Sequence, residues 1–397
     1  MRIDHVTARQ ILDTRGRPTI ETTLSSGDLH ATASVPSGKS TGEHEAVEKR
    51  DADDSVASEV ANENGEIAEA LATRDFETPD ELDAFLIELD GTPNKSRLGA
   101  NEILSVSIAT QRLFALQGGV PLWKAIAQRG GFTATAPRLF VNVMNGGVHA
   151  GFKLPLQEYM LVVGGQTGSA LPIAQKAFSR LGELLLKSSF NGEMGDEGGY
   201  APTFDTLEKP FEILSELVKE FPGTKIAIDV AASQLFHDGA YHILGKEYST
   251  DELARTYANL VGHFPVISIE DPFDEHATAD FVRLTAAVNG RILIVGDDFT
   301  CTNPELIADA IQKKAINAVL IKPNQIGTVM EAIRAVQETH VAGFKAIASH
   351  RSGETDDTFI ADFAYGIGAY GIKAGGLGQR ERLEKYARLL AIEGEQN

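Results

Sequence analysis

The chain has 397 residues, 43% of them hydrophobic and 23% charged, so a sizeable core is within reach and disorder is not indicated. Lys and Arg number 36 against 56 Asp and Glu, and the resulting net charge of −20 excludes a surface made to hold nucleic acid or anionic lipid. The single cysteine, Cys301, excludes an intramolecular disulfide, and no apolar run approaches the roughly 18 residues of a membrane span.

The first forty residues alternate in the manner of strands, over Ile3 to Ala8, Thr19 to Leu24 and Leu29 to Val35, with turns at Arg15 to Pro18 and Ser25 to Asp28. Next comes the small-residue loop Pro36-Ser-Gly-Lys-Ser-Thr-Gly42. It lacks the spacing of a nucleotide P-loop and follows no buried parallel strand, so a mobile lid over 36–43 is expected instead. Helical patterns follow over Ser55 to Arg74, Asp80 to Asp90, Gly99 to Leu116 and Leu122 to Gln128. The acids crowded between Glu43 and Asp90 read as solvated helix faces. Strands first and helices afterwards predict a separate α+β unit over 1–132, with Gly130 to Pro137 as the linker to a second domain over 133–397.

Leu139 to Met144 and Glu158 to Val163 read as the first two strands of that domain. The connection Asn145-Gly-Gly-Val-His-Ala-Gly151 is too short to hold a crossover helix, which breaks β/α alternation at its start. A helix from Ser169 to Ser188, the loop Asn191 to Tyr200 and a helix from Leu207 to Phe221 come next. Six apolar runs then each end on a residue able to do chemistry: Asp229, Glu270, Asp297, Lys322, His350 and Lys373. Apolar strand, polar tip and helix, repeated, predict an α/β fold, a TIM-type eight-stranded α/β barrel with an irregular start. In such a barrel the strand tips meet at one mouth.

Three carboxylates at neighbouring tips, Asp229, Glu270 and Asp297, suit a hard divalent cation that takes oxygen donors, Mg²⁺ first. Lys322 and Lys373, close to a buried mouth, are expected to have lowered pKa values, which makes each a candidate general base. His350-Arg-Ser-Gly-Glu-Thr355 sets an imidazole, a guanidinium and a hydroxyl at a strand-to-loop corner, suited to a phosphate or carboxylate. Gly195-Asp-Glu-Gly-Gly199 is an acidic loop on a flexible mount.

Together these strings resemble enolase, the phosphopyruvate hydratase family, nearly end to end. Val35-Pro-Ser-Gly-Lys-Ser-Thr-Gly42, Asn145 to Gly151, Gln157-Glu158, Gly195 to Gly199, Asp229-Val-Ala-Ala-Ser233, Ser268-Ile-Glu-Asp-Pro-Phe273, Gly296-Asp-Asp298, Lys322-Pro-Asn-Gln-Ile-Gly-Thr328 and Ser349 to Thr355 all look like its motifs, in its order. The resemblance implies a reversible dehydration of 2-phospho-D-glycerate to phosphoenolpyruvate with two Mg²⁺ per site, the second bound with substrate. Asp229, Glu270 and Asp297 would hold the first ion and Ser40 the second. Lys322 would be the base, and Glu197, supported by Glu158, the acid. Lys373 would contact the substrate carboxylate, Arg351 and Ser352 the phosphate, and His149, Gln157 and His350 the remaining polar edges. This chain departs from the family at Lys39, where a small residue is usual, at Arg17, and over Ala374 to Arg380.

The expected partner is a phosphorylated small molecule, without direct nucleic-acid binding and without a membrane span. The expected assembly is a homo-oligomer, either a dimer or an octamer of dimers. Met1 to Thr7 has no apolar leader core, so a cytoplasmic location is expected, with room for a secondary cell-surface or secreted pool. A barrel relative acting on a different hydroxy acid with one metal would not need Ser40 or the Arg351-Ser352 pair. A scaffold without turnover would be expected to have lost Glu197, Lys322 or a metal acid.

Overall fold

A computed structural model of the chain describes residues 1–187 and 190–395. Its N-terminal part is an antiparallel sheet of β1 (His5–Leu12), β2 (Pro18–Ser26) and β3 (Leu29–Ser34), in that order. β1 pairs with β2 from His5↔Ser25 to Leu12↔Pro18 and so runs past the expected end at Ala8. The alternation fades there because Arg9 to Leu12 lie on an edge strand whose side chains are mostly exposed, while the backbone ladder continues. The helix Ala100–Gln117 lies behind the sheet and is buried along most of its length.

The single helix expected from Ser55 to Arg74 is interrupted. Helical segments Ala57–Asn62 and Ala68–Leu71 flank a π-helical turn over Glu63–Ile67, and this wider turn brings both Glu63 and Ile67 to the buried side. Glu59, Glu63, Asp83 and Asp90 are buried, as is Glu102 beyond them, which corrects the reading of solvated helix faces at those positions; the other acids between Glu43 and Asp90 are exposed or half-buried, as expected.

The rest of the chain is a closed barrel. Its strands are β4 (Arg138–Asn145), β5 (Glu158–Val163), β6 (Thr224–Asp229), then, after a small three-stranded excursion of β7 (Phe236–His237), β8 (Ala240–Ile243) and β9 (Lys246–Tyr248), β10 (Val266–Glu270), β11 (Leu293–Gly296), β12 (Ala318–Ile321), β13 (Lys345–Ser349) and β14 (Gly371–Lys373). β5 is antiparallel to both β4 and β6, as the short connection before it requires, and the other ladders are parallel. The first barrel helix spans Thr167–Leu186; its expected end at Ser188 lies outside the described residues. Helix ends are set locally: Ser249 and Glu252 form a capping box for Thr250–His263, and Thr328 caps Val329–Val341.

Strand residues of one parity, Phe140, Met160, Val162, Ala227, Val295, Leu320 and Ile347, fill the barrel interior. Those of the other parity, such as Val141, Leu161, Ile228, Ile294 and Val319, join the larger core under the helices. The N-terminal part is fastened to the barrel by Arg112, which forms two 2.7 Å bonds to Asp357, by Lys95 to Glu331 at 2.7 Å, and by Ser34 Oγ to Thr355 Oγ1 at 2.8 Å. Among the described residues no helix is long and apolar enough to cross a membrane.

Candidate active site

Inward parity, carried one step past each strand, decides what fills the mouth. Ala227 faces in and so does Asp229; Val295 leads to Asp297, Leu320 to Lys322, Gly371 to Lys373 and, on the reversed β5, Met160 to Glu158. All five side chains are buried or nearly so. At the strand ends the backbone turns sharply: Ala231 and Asp271 hold φ of 47° and 40°, a strained region for non-glycine residues. The turn at Asp271 lets its carboxylate accept from Asp297 N at 2.9 Å and Asp298 N at 2.8 Å, which fixes the loop bearing Asp297.

Lys373 is the hub. Its Nζ lies 2.8 Å from Glu270 Oε1 and 3.0 Å from both Glu158 Oε1 and Asp229 Oδ2. Burial opposes its charge, but Asp229, Glu158 and Glu270 hold its pKa well above the usual lysine value. Lys322 Nζ lies 2.5 Å from Asp297 Oδ2, whose other oxygen accepts from Gln325 Nε2 at 2.9 Å. Burial opposes the Lys322 charge as well, yet Asp297 wins and its pKa is raised. The expectation of two lysines with lowered pKa values is therefore corrected: each faces a carboxylate at contact distance, and at that range the attraction exceeds the cost of desolvation.

Glu158 and Glu197 are pushed in opposite directions. Burial, and then the charge of Glu197, raise Glu158 well above the carboxylate range. Burial also works against ionised Glu197, but His149, His350 and the Arg382 guanidinium hold it well below that range. Glu197 Oε2 accepts from Asn142 Nδ2 at 2.9 Å, and His149 Nε2 lies 3.5 Å from its Oε1. His350 is itself pushed well below the ordinary imidazole value by burial and by Arg382, so the permanent charge of Arg382 is the dependable part of this field. Arg382 Nη1 faces His350 Nδ1, and because a guanidinium only donates, Nδ1 accepts and the ring proton sits on Nε2.

Across the mouth, Arg351 donates to Glu45 Oε2 at 2.9 Å, Asn324 Oδ1 at 3.0 Å and the Ser40 carbonyl at 3.0 Å. The lid is closed over the site. Ser37 and Gly353 exchange two backbone bonds of 2.9 Å, and a Cβ on Gly38 would stand 1.9 Å from Arg351 Nη2, so a side chain there would have to push the guanidinium aside. The space left between Ser40, His149, Glu197, Lys322, Arg351 and Lys373 is about 10 Å³, close to the room one water needs. Gln157 and Ser352 line the same cavity, so each expected site residue lines it except Glu270 and Asp297, which contact Lys373 and Lys322.

The donors around Lys373 and Lys322 suit a hard divalent cation: four buried carboxylates surround two ammonium groups, and Glu158 Oε2 and Gln157 Oε1 are buried without a hydrogen-bond partner. Asp229 and Glu270 meet at the Lys373 ammonium and Asp297 at that of Lys322. The acid-rich groups whose ligand atoms lie within 4.8 Å of one another are, among the described residues, Glu158–Glu197–His350 and Asp271–Asp297–Asp298.

Several participants are absent from the sequence expectations. Glu45 sits in the acidic stretch read as solvated, Asn142 is a lone polar residue inside an apolar strand, and Arg382 lies on the last helix. A polar residue of inward parity was the available signal for Asn142; for Arg382 it was the string Glu381-Arg-Leu, which follows the family pattern.

Comparison with known proteins agrees with this geometry. A family description, "Enolase, C-terminal TIM barrel domain", matches residues 133–397, and "Enolase, N-terminal domain" matches 3–126. Enolase 1 of Lactococcus lactis subsp. cremoris is 43% identical over 410 residues, covering 99% of this chain and 97% of that protein.

Proposed function

The chain belongs to the enolase family and is a phosphopyruvate hydratase, a lyase, and from that premise we propose how its residues divide the dehydration of 2-phospho-D-glycerate to phosphoenolpyruvate. The family implies a divalent metal, and we assign it as Mg²⁺, the first ion held by Asp229, Glu270 and Asp297 and the second by Ser40. When bound, such ions supply positive charge against the extra negative charge that removal of an α-proton leaves beside a carboxylate, the pattern known for this enzyme class.

Lys322 takes the α-proton. With Asp297 engaged elsewhere, burial and the charges of Arg351 and Lys373 all act to lower its pKa and leave a neutral amine. Glu197, ionised in the closed site, takes a proton from nearby Glu158, which burial keeps protonated, and passes it to the departing β-hydroxyl, which leaves as water. Lys373 holds the substrate carboxylate, Arg351 and Ser352 the phosphate, while His149, Gln157 and His350 close the polar edges. One observation carries this reading: Lys322 and Glu197, of opposite chemistry, line one buried cavity together with Arg351 and Lys373. The N-terminal α+β unit, with its lid 36–43, and the barrel are treated as separate domains, 1–132 and 133–397, and the assembly as a cytoplasmic homo-oligomer, a dimer or an octamer of dimers. The buried single cysteine supports a reducing compartment.

The purified protein is expected to form phosphoenolpyruvate in the presence of Mg²⁺ and to stop on chelation. Lys322→Ala is expected to lower kcat by about 10³-fold or more with the fold intact by circular dichroism. Turnover that survives either treatment would remove Lys322 as base or Mg²⁺ as cofactor.

A further inference from the structure

We propose that Lys39 is a positioning residue that fastens the closed lid to the loop bearing the proton donor, so that the lid and Glu197 are set in one step. The inference rests on the assignment of Glu197 as the acid. Lys39 Nζ lies 2.6 Å from Asp196 Oδ2 and donates to the Val148 carbonyl at 2.8 Å. Asp196 directly precedes Glu197 in the chain, its own N–H donates to the His149 carbonyl at 3.1 Å, and its Oδ2 lies 3.8 Å from His149 Nδ1. One side chain on the lid therefore reaches both barrel loops that surround Glu197, the 3₁₀ turn Gly147–Ala150 and the segment 195–199.

The rest of the lid is tied to the opposite side of the mouth. Ser37 pairs with Gly353, and the Ser40 carbonyl accepts from Arg351, all on the side assigned to phosphate. Lys39 alone of the residues between these anchors spans the cavity toward the acid, and without it closure at Ser40 would say nothing about the state of the 195–199 loop. The pair is also of the right strength for repeated opening. Lys39 is 39% and Asp196 31% exposed, so water and salt compete with it, and such exposed pairs are weak. Opening is required, since the closed cavity of about 10 Å³ admits no phosphorylated acid.

The test uses the full chain. The Lys39–Ser40 peptide bond is itself a trypsin site, and its cutting rate, followed by mass spectrometry, reports how often the lid tip is free. Asp196→Asn keeps the shape and the backbone contacts but removes the charge, and is expected to speed cutting at Lys39 about two- to fivefold. In steady-state assays Lys39→Met and Asp196→Asn are each expected to raise KM about two- to fivefold with a smaller change in kcat, and the double variant is expected to be no worse than either single. The wild-type advantage over Lys39→Met is expected to vanish as salt is raised from about 0.01 M to about 1 M, which shortens the screening length from roughly 30 Å to roughly 3 Å. Equal cutting rates in wild type and Asp196→Asn, or single-variant effects that multiply in the double variant, would overturn the proposal. The proteolysis arm needs no turnover, so a latch that is present in a protein inactive on 2-phosphoglycerate would separate failure of the assigned reaction from failure of the latch.

Discussion

Glu63 shows what one buried side chain can do to the pH response of a protein. It is fully buried, accepts from Ser105 Oγ at 3.2 Å and from Thr22 Oγ1, and leaves Oε2 without a partner. Burial pushes its pKa up to about 8 from an ordinary 4.5, and neighbouring Glu59 and Glu102 are likewise pushed up to about 8 and about 9. Between those values the folded state keeps a proton that the unfolded chain has released. The stabilisation is therefore complete below about 4.5 and is lost as pH rises through 8 to 9. The urea midpoint is expected to fall between about pH 6 and about pH 9, and Glu63→Gln, which keeps the bond to Thr22 without an ionisable proton, is expected to flatten that slope. An unchanged slope in the variant would place the pH response elsewhere. Local sequence pointed the other way, because glutamates in a helical window read as solvent-facing until the π turn at Glu63–Ile67 is known.

At the scale of an element, the β4–β5 hairpin carries more of the site than its length suggests. Its connection holds His149 and Gln157, and it passes Gly146 so close to the return strand that a Cβ there would meet the Leu156 carbonyl oxygen at 2.2 Å. Gly146 has φ of −135°, so the constraint is space and not a glycine-only conformation. Backbone cannot yield as a flexible side chain can. Gly146→Ala is expected to displace the loop, lowering kcat/KM more than tenfold and stability by about 1–3 kcal/mol, measured by kinetics and thermal unfolding side by side. Wild-type activity in that variant would show that His149 and Gln157 tolerate movement. The hairpin itself was legible in the sequence, since the short connection after Met144 has no room for a crossover helix. The clash was not, because it lies between residues ten apart whose approach depends on the barrel.

The whole molecule works only because its two parts are docked: the lid belongs to the N-terminal part and the acids and lysines to the barrel. Arg112 and Asp357 secure that docking with two parallel bonds of 2.7 Å, and Asp357 also accepts from the backbone N–H groups of Ser34 and Phe359. Arg112→Met leaves a buried carboxylate without its counter-charge. It is expected to cost about 2–3 kcal/mol, less than a fully buried pair would because Arg112 is partly exposed, and to lower the midpoint of a single calorimetric transition. Two separate transitions would mean that the parts unfold independently and that the lid is held by local contacts alone.

What the sequence determined by itself was periodic: apolar runs of strand length, each ending on a chemical residue at barrel spacing, together with a connection too short for a crossover. Parallel strands of one barrel end at a common mouth, so Asp229, Glu270, Asp297, Lys322, His350 and Lys373, which close six apolar runs, could be placed together before any contact was known. Tertiary structure alone decided the charge state of that mouth. Ionisation depends on the sum of burial and of charges a few ångströms away, and those neighbours, Asp297 for Lys322, three carboxylates for Lys373, and Arg382 beside His350, come from strands and helices far apart in the chain.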